Sequence, residues 1–435
     1  MDNNYVTVIG AGLAGVEASY QLAKRGIKVK LYEMKKQKKS PAHQIDGFAE
    51  LVCSNSFRSN DIMNAAGLLK EELRQLDSLV LKAAEITKVP AGSALAVDRE
   101  LFSKYITDLI RNHPLIEVVD EEVVSLPQTP CIIATGPLTS QPLFDEIKRI
   151  TGIDTLYFFD AAAPIIEFDS INMDIAYYKS RYDKGEATYI NCPMIKEQYN
   201  DWYQEVINAK CVIPKSFELK VFEGCMPFEE IARRGEQTLL YGPMKPVGLE
   251  KNDGHRPYAV VQLRQDNAAA SLYNIVGFQT HLTFGEQQRI IRLIPGLENA
   301  NIVRYGVMHL NSFVNAPKVI NRHYQMIKNS NYFIAGQLSG VEGYLESTGS
   351  GLLAGINMAR LMNHQPLLEM PRETALGAQA YYLENALADD FQPMNINFGL
   401  FSPLNEKHKK HERKQLLVKR ALDCIHHMLE DHQFD

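Results

Sequence analysis

The chain has 435 residues, of which 45% are hydrophobic and 23% charged, with 27 glycines and 20 prolines. At about 150 residues per domain, this length allows roughly two or three domains with a large core, and the composition excludes collagen-like and disordered chains. Lys and Arg number 46 against 52 Asp and Glu, so the net charge of −6 excludes a polycation that binds RNA non-specifically. Any contact with a nucleic acid must use a local basic patch.

Cysteine spacing and hydropathy exclude further classes of protein, namely disulfide-rich, secreted and membrane-spanning chains. The six cysteines form no CxxC pair and no Cys/His cluster at metal-ligand spacing, so we expect neither disulfides nor a bound metal. The first apolar stretch contains Glu17 and follows no basic residue, unlike a secretory signal. The apolar run at 351–362 is interrupted by Asn357 and Arg360 and is too short to span a bilayer. We therefore expect a cytoplasmic protein with reduced thiols and no membrane contact.

The chain opens with the order strand, glycine-rich turn, helix, strand. A strand predicted at 6–9 precedes the G-x-G-x-x-G motif at 10–15, a helix runs to residue 24, and a second strand covers 27–33. In dinucleotide-binding βαβ units the glycines allow a tight turn, approach of the backbone to a pyrophosphate, and close helix packing, while a following acidic residue binds a ribose hydroxyl. The motif does not separate FAD from NAD. The expected binding residues are Gly10, Ala11, Gly12, Leu13, Ala14, Gly15 and Glu33.

Later elements extend this pattern. Helices are predicted at 65–76 and 99–111, and a buried strand at 131–134 ends at Thr135-Gly136. A strand at 331–336 runs into Gly336-Gln337 and is followed by an Ala/Gly-rich helix at 349–361. These glycine segments can bring backbone amides against a flavin or pyrophosphate, which favours FAD, although close packing alone also explains each of them. Between them, short strands are predicted at 164–166, 177–182, 221–223, 238–241, 259–263 and 273–278.

These elements predict an α/β protein with a Rossmann-like FAD-binding domain and an inserted mixed α+β domain. We expect the FAD-binding domain to comprise residues 1–159 and 296–435, and the inserted substrate or RNA domain to comprise residues 160–295. The tail from residue 406 to 420 is predicted to be a basic amphipathic helix. It holds Lys407, Lys409, Lys410, Arg413, Lys414, Lys419 and Arg420.

Several residues are candidates for chemistry or RNA contact. Cys53 lies in a polar segment, and Cys225 lies between Gly224 and a proline, so both are candidate reactive thiols, although a lone cysteine is more often a small buried hydrophobe. His43 and His309 can stack on or hydrogen-bond a heterocycle, or be structural histidines. Lysines near residue 37 are candidate phosphate contacts or a solvated charge run. These lysines are Lys35, Lys36, Lys38 and Lys39.

Taken together, these segments resemble the folate- and FAD-dependent RNA uracil-5 methyltransferases, the TrmFO family. The resemblance covers nearly the whole chain and implies a flavoprotein fold of the GR2 type. It rests on residues 10–15, 31–34, 41–43, 49–60, 89–92, 94–99, 133–139, 179–185, 222–227, 241–250, 256–266, 275–281 and 391–399.

The resemblance implies a reaction and its cofactors. 5,10-Methylenetetrahydrofolate supplies the carbon, reduced FAD supplies the electrons, NADPH or NADH reduces the flavin, and the product is 5-methyluridine at uridine 54 in the T loop of tRNA. Cys225 matches the nucleophile that adds to uracil C6, and Cys53 matches the cysteine beside the flavin that assists as a base or holds the methylene. The implied cofactor residues also include Thr135, Gly136, Gly336, Gln337, His309 and Tyr344.

Three departures from the family pattern leave alternatives open. Leu310 stands where the family usually has arginine, Phe57 replaces a usual leucine, and residues 346–350 depart from an alanine-rich segment. Leu310 in place of arginine removes a cation near the folate or the RNA. The main alternative is therefore the same reaction on a uridine of 23S ribosomal RNA. A flavin-binding RNA protein without methyltransferase activity is a weaker alternative. A small-molecule flavin oxidoreductase leaves both cysteine segments and the basic tail unexplained.

Overall fold

A computed structural model describes residues 5–40, 42–153, 156–212, 226–251, 254–405 and 407–434. Cys225 and the strand predicted at 221–223 lie outside these residues. The strands are β1 (Tyr5–Ile9), β2 (Lys28–Tyr32), β3 (Ser56–Ser59), β4 (Lys88–Val89), β5 (Ala94–Val97), β6 (Ile116–Val119), β7 (Cys131–Ile133), β8 (Leu156–Ala161), β9 (Ile165–Glu167), β10 (Tyr177–Tyr178), β11 (Ile190–Met194), β12 (Ala259–Gln265), β13 (Leu272–Ile275), β14 (Ile302–Arg304), β15 (Met308–Phe313), β16 (Gln325–Met326) and β17 (Asn329–Ile334). The helices are α1 (Leu13–Lys24), α2 (Ala65–Gln75), α3 (Leu79–Ile86), α4 (Arg99–Arg111), α5 (Gln141–Thr151), α6 (Lys196–Ile207), α7 (Phe228–Arg233), α8 (Thr238–Tyr241), α9 (Phe284–Arg292), α10 (Ala316–Val319), α11 (Tyr344–Met362), α12 (Ala375–Asn385) and α13 (Arg413–Glu430).

The main sheet has the strand order β16-β17-β7-β1-β2-β6. Its five strands from β17 to β6 are parallel, and β16 adds an antiparallel edge. The central strands β1 and β7 are nearly continuous apolar runs, because helices cover both faces of such a sheet. The carboxyl ends of β1, β2, β7 and β17 meet at one edge, where doubly wound folds bind their ligands. The predicted Rossmann-like parallel sheet is confirmed.

Helices α1 and α11 pack so closely that glycine is required between them. A Cβ atom at Gly351 would lie 2.2 Å from the carbonyl oxygen of Ala14, and one at Gly355 would lie 2.8 Å from that of Ala18. Helix α11 begins at Tyr344, five residues before the predicted start, after Gly343 with its φ of 106°. The contact fixes the amino-terminal end of α1 against the chain that follows β17.

A second, antiparallel sheet has the order β10-β11-β12-β13-β9-β14. Helices α6, α7 and α9 contribute to its core around Trp202, whose ring stacks on Phe228 at a centroid distance of 5.9 Å. The Trp202 indole N–H donates to the carbonyl of Ile290. The strands of this sheet come from residues 165–304, and the domain boundaries at 159/160 and 295/296 stay a prediction. Smaller sheets are formed by β3-β5-β4 and by β15-β8.

Two predicted strands of the second region are wrong or too long. Residues 238–241 form the single turn α8, because the Thr238 hydroxyl donates to the carbonyls of Ile231 and Gly235 and continues from α7. Strand β10 ends at Tyr178, since the chain turns at Tyr182, where φ is 59°. Tertiary contacts override the β-propensity of these residues.

The basic tail helix also starts later than predicted. Helix α13 begins at Arg413 and continues to Glu430, so Lys407, Lys409 and Lys410 precede it. Leu417 and Ala421 are buried at helical spacing, which confirms the apolar face. Within the described residues, no helix is both long and apolar enough to cross a membrane.

Helix α2 carries two buried charged residues that join separate parts of the chain. The Lys70 ammonium donates to the carbonyls of Phe57, Arg58 and Ser59, and burial lowers its pKa to about 7. The two carboxylate oxygens of Glu72 accept from the backbone N–H groups of residues 375 and 376 at 2.6 and 2.9 Å. Burial raises the pKa of Glu72 to about 8. Helix α2 thereby holds β3 on one side and the start of α12 on the other.

Gly351→Ala is expected to lower the free energy of unfolding by about 1–3 kcal/mol, because the added methyl group meets the backbone of Ala14. The matched control is Gly285→Ala in α9, where a Cβ atom meets nothing within 4 Å. That substitution should be neutral or stabilise by about 0.5 kcal/mol, since alanine favours a helix over glycine. Urea unfolding of both variants measures the difference, and equal effects at the two sites would refute the close packing.

Glu72→Gln is expected to flatten the pH dependence of stability. Because the folded pKa of Glu72 is raised from 4.5 to about 8, its contribution is complete below about pH 4.5 and is lost as the pH rises through about 8. The amide does not titrate, so the variant should gain stability relative to the wild type between about pH 5 and pH 8. Urea unfolding at several pH values measures this. The neighbouring Glu71→Gln should follow the wild-type profile, and the same profile for Glu72→Gln would contradict the assignment.

Candidate functional site

The turn after β1 has the geometry of a nucleotide cradle. Gly10 has a φ of +96°, and its N–H donates to the carbonyl of Tyr32 at 2.8 Å. A Cβ atom at Gly10 would lie 2.6 Å from the Ala134 carbonyl oxygen, and one at Gly15 would lie 1.8 Å from that of Gly10. A Cβ atom at Gly12 would meet nothing within 4 Å. Packing therefore requires the outer two glycines, and the middle one leaves the backbone open to a ligand.

The acidic residue at the end of β2 is held firmly beside this turn. One carboxylate oxygen of Glu33 accepts from the N–H of Ala11 at 2.8 Å, and the other accepts from the N–H of Lys35 at 3.0 Å. Each carboxylate oxygen can accept a further hydrogen bond. Glu33 lines a cavity at this edge of the sheet, so its carboxylate is oriented to accept a hydrogen bond from a ligand hydroxyl.

Two other loops reach the same edge of the sheet from β7 and β17. Gly136 has a φ of +70°, and the hydroxyls of Thr135 and Thr139 lie 2.6 Å apart. Gly336 has a φ of +73°, and its N–H donates to the Ser350 hydroxyl oxygen at 2.7 Å. A Cβ atom at Gly336 would lie 3.0 Å from that of Ala14, so this loop is also packed on α1.

These segments line one cavity that is partly open to solvent. It brings together ten of the cofactor residues predicted from the sequence. Ala11 and Gly15 support residues that line the cavity. The Ala11 N–H orients the Glu33 carboxylate, and Gly15 packs on Gly10. The ten predicted cofactor residues that line the cavity are Gly10, Gly12, Leu13, Ala14, Glu33, Thr135, Gly136, Gly336, Gln337 and Tyr344, and the candidate residue His43 and Ser347 also line it.

Cys53 is tied to the wall of this cavity through Tyr344. The N–H groups of Cys53 and Ser54 donate to the Tyr344 hydroxyl oxygen at 3.0 and 3.1 Å. The Cys53 thiol donates to the carbonyl of Ala161 at 3.8 Å. Burial raises the pKa of Tyr344, so its hydroxyl stays protonated in the site. The thiol therefore lies between the cavity and the strand β8.

Three arginines that are not among the residues predicted from the sequence bind the segment that carries Cys53. Arg99 donates to the carbonyls of residues 51 and 53 and pairs with Asp266 at 3.0 Å. Arg304 donates to the carbonyl of residue 52 at 2.8 Å, and burial lowers its pKa. Arg264 donates to the Ser54 hydroxyl at 2.7 Å. The sequence signal for this cluster was Arg264 within the apolar pattern of β12. A charged residue in a buried strand needs a partner, so it indicates a polar cluster.

The departures from the family pattern are packed into the same region. The Glu346 carboxylate is fully buried, and Arg58 donates to both of its oxygens at 2.5 and 2.6 Å. The backbone N–H of Ile396 donates to the same carboxylate at 2.7 Å. The Phe57 ring lies 5.7 Å from that of Tyr344. Arg58 therefore satisfies the buried charge that Glu346 places in α11.

Among the other predicted residues, Lys35 also lines the cavity. His309 is in β15, opposite Asp160 of β8, and the adjacent Leu310 is 45% exposed. Cys225 falls outside the described residues. Lys35 is buried and donates to the carbonyl of Gly47. The other three lysines of this group form ion pairs, namely Lys36 with Asp120, Lys38 with Glu122 and Lys39 with Asp46.

Comparison with known proteins identifies the family of this chain. Residues 5–366 match the family described as glucose inhibited division protein A. The chain is 58% identical over 432 residues to the methylenetetrahydrofolate–tRNA-(uracil-5-)-methyltransferase TrmFO of Lysinibacillus sphaericus, covering 99% of each chain. It is 58% identical over 429 residues to the protein of that name from Listeria monocytogenes, covering 98% of this chain and 99% of the other. The Exiguobacterium sibiricum protein of that name is 59% identical over 425 residues, covering 97% and 98%.

Solved structures agree in fold. GidA of Aquifex aeolicus superposes with a TM-score of 0.69 at 16% identity, covering 97% of this chain and 73% of that one. A second crystal form gives a TM-score of 0.68. The predicted flavoprotein-type α/β fold is thus confirmed by both topology and likeness. The chain belongs to the glucose inhibited division protein A family and, within it, to the TrmFO family.

Proposed function

We propose that this protein is an FAD-dependent methyltransferase that converts uridine 54 in the T loop of tRNA to 5-methyluridine. The carbon comes from 5,10-methylenetetrahydrofolate, and NADPH or NADH is the reductant. The observation that carries the proposal is the 58% identity over 99% of both chains with a protein named for this reaction. The cavity beside Cys53 supports it from the geometry of the chain itself.

The cavity residues fit FAD. Gly12 leaves the backbone open at the amino-terminal end of α1, where a pyrophosphate is favoured by the helix dipole and exposed N–H groups. Glu33 can accept from the ribose hydroxyls of the adenosine half. The loops at Gly136 and Gly336 bring backbone to the same cavity, and Tyr344 lines it beside Cys53. The turn after β1 would thus hold the nucleotide half, and Tyr344 would border the flavin half.

When bound and reduced, FAD supplies the electrons that convert the transferred methylene group to a methyl group. The residues around Cys53 keep the thiol in place for this chemistry. The guanidinium groups of Arg99 and Arg304 hold the backbone on both sides of Val52, and Tyr344 holds the N–H of Cys53. Cys53 acts as the base that removes the C5 proton or holds the methylene group.

Cys225 is the proposed nucleophile. Uracil C5 attacks an electrophilic carbon only after a thiolate adds to C6 and places negative charge on C5 and O4. After C5 has attacked the methylene carbon, loss of the C5 proton to a base expels tetrahydrofolate and leaves a methylene group on C5. A hydride equivalent from the reductant then converts this group to methyl as the C6–S bond breaks and the thiolate leaves. The reaction therefore needs two separate groups, a nucleophile and a base, which the two cysteines provide.

Exposed basic side chains at the start of α13 are the proposed phosphate contacts. Lys407, Lys409, Lys410, Arg413 and Lys414 are exposed on one stretch of chain. Phosphate contacts give affinity without base specificity. We therefore assign the choice of uridine to the active site and the general affinity for RNA to this stretch.

Carbon-labelled methylenetetrahydrofolate tests the function and the nucleophile together. The purified protein should be yellow, and with NADPH or NADH it should label uridine 54 of an unmodified tRNA transcript. Cys225→Ala should abolish the label while the protein stays yellow, because the substitution removes the nucleophile and changes none of the described residues that line the cavity. Cys424→Ala, which replaces a half-buried cysteine on α13, is the matched control and should retain activity.

Two outcomes of this assay would contradict the proposal. Label in a 23S ribosomal RNA transcript, and none in tRNA, would leave the chemistry standing and move the substrate to ribosomal RNA. Full labelling by Cys225→Ala would remove Cys225 as the nucleophile.

Tyr344→Phe is expected to reduce the rate of methyl transfer by about tenfold or more, with little loss of FAD. The substitution keeps the ring beside Phe57 but removes the acceptor of the Cys53 and Ser54 N–H groups, so the thiol shifts. Single-turnover labelling and flavin absorbance measure the two effects. Tyr382→Phe, whose hydroxyl donates to the Gln392 carbonyl, is the matched control. An unchanged rate for Tyr344→Phe would show that this hydroxyl does not position Cys53.

A further inference from the structure

Three side chains with metal-binding donors meet outside the nucleotide cavity. One donor atom of each of Cys211, Glu229 and His281 lies within 4.8 Å of the other two. Cys211 forms an isolated β-bridge with Leu282, Glu229 is in the first turn of α7, and His281 follows β13. Glu229 is fully buried and His281 is 4% exposed, whereas Cys211 is half-buried. The cluster is therefore buried at its carboxylate and imidazole and partly exposed at its thiol.

The imidazole of His281 is oriented like that of a metal-bound histidine. Its Nδ1 atom is buried and lies 3.1 Å from a Glu229 carboxylate oxygen. Its Nε2 atom lies 3.2 Å from a carboxylate oxygen of Glu230. A metal-bound histidine uses one ring nitrogen for the ion and donates from the other to a carboxylate or carbonyl. Glu230 supplies that carboxylate, and Nδ1 faces the cluster.

The Glu229 carboxylate is also fixed by its surroundings. The Thr280 hydroxyl lies 2.9 and 3.0 Å from its two oxygens, and the backbone N–H of His281 donates to it at 2.7 Å. Burial raises the pKa of Glu229. The carboxylate thus has a set orientation toward Nδ1, and a nearby cation would favour its charged form.

One cationic side chain also contacts the cluster. Arg233 donates to the Cys211 sulfur at 3.3 Å. With a divalent ion bound, the ion and Arg233 balance the charges of the Cys211 thiolate and the two carboxylates. The buried cluster is then neutral, which is the state that low polarity favours.

We propose that Cys211, Glu229 and His281 bind a zinc ion, with Glu230 orienting the imidazole. Sulfur, nitrogen and carboxylate oxygen donors in one small cluster are the set that zinc accepts. Tetrahedral bonds of about 2.0–2.3 Å place donor atoms about 3.3–3.6 Å apart. Nδ1 and the Glu229 oxygen, 3.1 Å apart, are already close to that separation. Binding releases the imidazolium and thiol protons to solvent and leaves a fourth position for water.

The proposed ion links distant parts of the chain. Cys211 precedes and Glu229 follows residues 213–225, and His281 belongs to the loop after β13. A bound ion would therefore cross-link the chain on both sides of that segment to the second sheet. This inference does not depend on the proposed methyltransferase function, because it rests on the cluster alone.

Metal analysis tests the site directly. The full-length protein is stripped with a chelator, equilibrated with zinc, desalted and analysed for metal by atomic emission. The wild type and the matched control Cys424→Ser should retain stoichiometric zinc, whereas Cys211→Ser and His281→Gln should lose it. Glu230→Gln should weaken zinc affinity by about 10–100-fold, because it only orients the ligand. Equal zinc retention by the wild type and Cys211→Ser, or retention by neither, would overturn the proposal.

Cobalt substitution gives a second measurement on the unaltered protein. Cobalt(II) in place of zinc should give thiolate-to-metal charge-transfer bands and tetrahedral d–d bands at longer wavelengths than the flavin absorption. Both should be absent from Cys211→Ser, with unchanged flavin absorbance as evidence that this variant is folded. Wild-type protein that shows no such bands would overturn the proposal whatever the methyltransferase assay gives.

Discussion

The close approach of α1 to α11 is the constraint on which the nucleotide cavity depends. Glycines at 351 and 355 let α11 lie against the backbone of α1, and Gly15 lets α1 lie against the turn at Gly10. The amino-terminal end of α1, the loop after β7 and the loop after β17 therefore meet at one edge of the sheet. A single methyl group at any of these glycines meets backbone atoms, which cannot move aside as a flexible side chain can.

The second constraint is electrostatic. The chain around Cys53 turns its carbonyl groups toward Arg99 and Arg304, and Arg264 binds the Ser54 hydroxyl. These arginines come from α4, from the end of β14 and from β12. The second sheet and helix α4 thus both take part in holding one short segment against Tyr344. A buried arginine without a partner costs free energy of folding. The carbonyl groups and Asp266 stabilise the guanidinium charges, and the arginines in turn position these groups.

The second sheet has its own buried charge arrangement, centred on His281 between Glu229 and Glu230. This arrangement differs from the arginine cluster in the chemistry of its central cation. A histidine can lose its proton and bind a metal ion at accessible pH, whereas an arginine cannot. The sequence spacing of residues 211, 229 and 281 carries no metal motif, and the expectation of no bound metal followed from spacing alone. Only the β-bridge at Cys211 and the start of α7 bring the three donors together.

The sequence by itself determined the parallel sheet, the glycine turn and its acidic partner Glu33, because these depend on local periodicity and on short fixed spacings. It also carried the family resemblance and nominated ten cofactor residues that line one cavity. It did not determine α8, the end of β10 or the start of α13, where tertiary hydrogen bonds and burial override local propensity. Nor did it reveal the arginines around Cys53 or the cluster at His281. Those sites join residues far apart in the chain, and only the packing of the two sheets decides which distant charges meet.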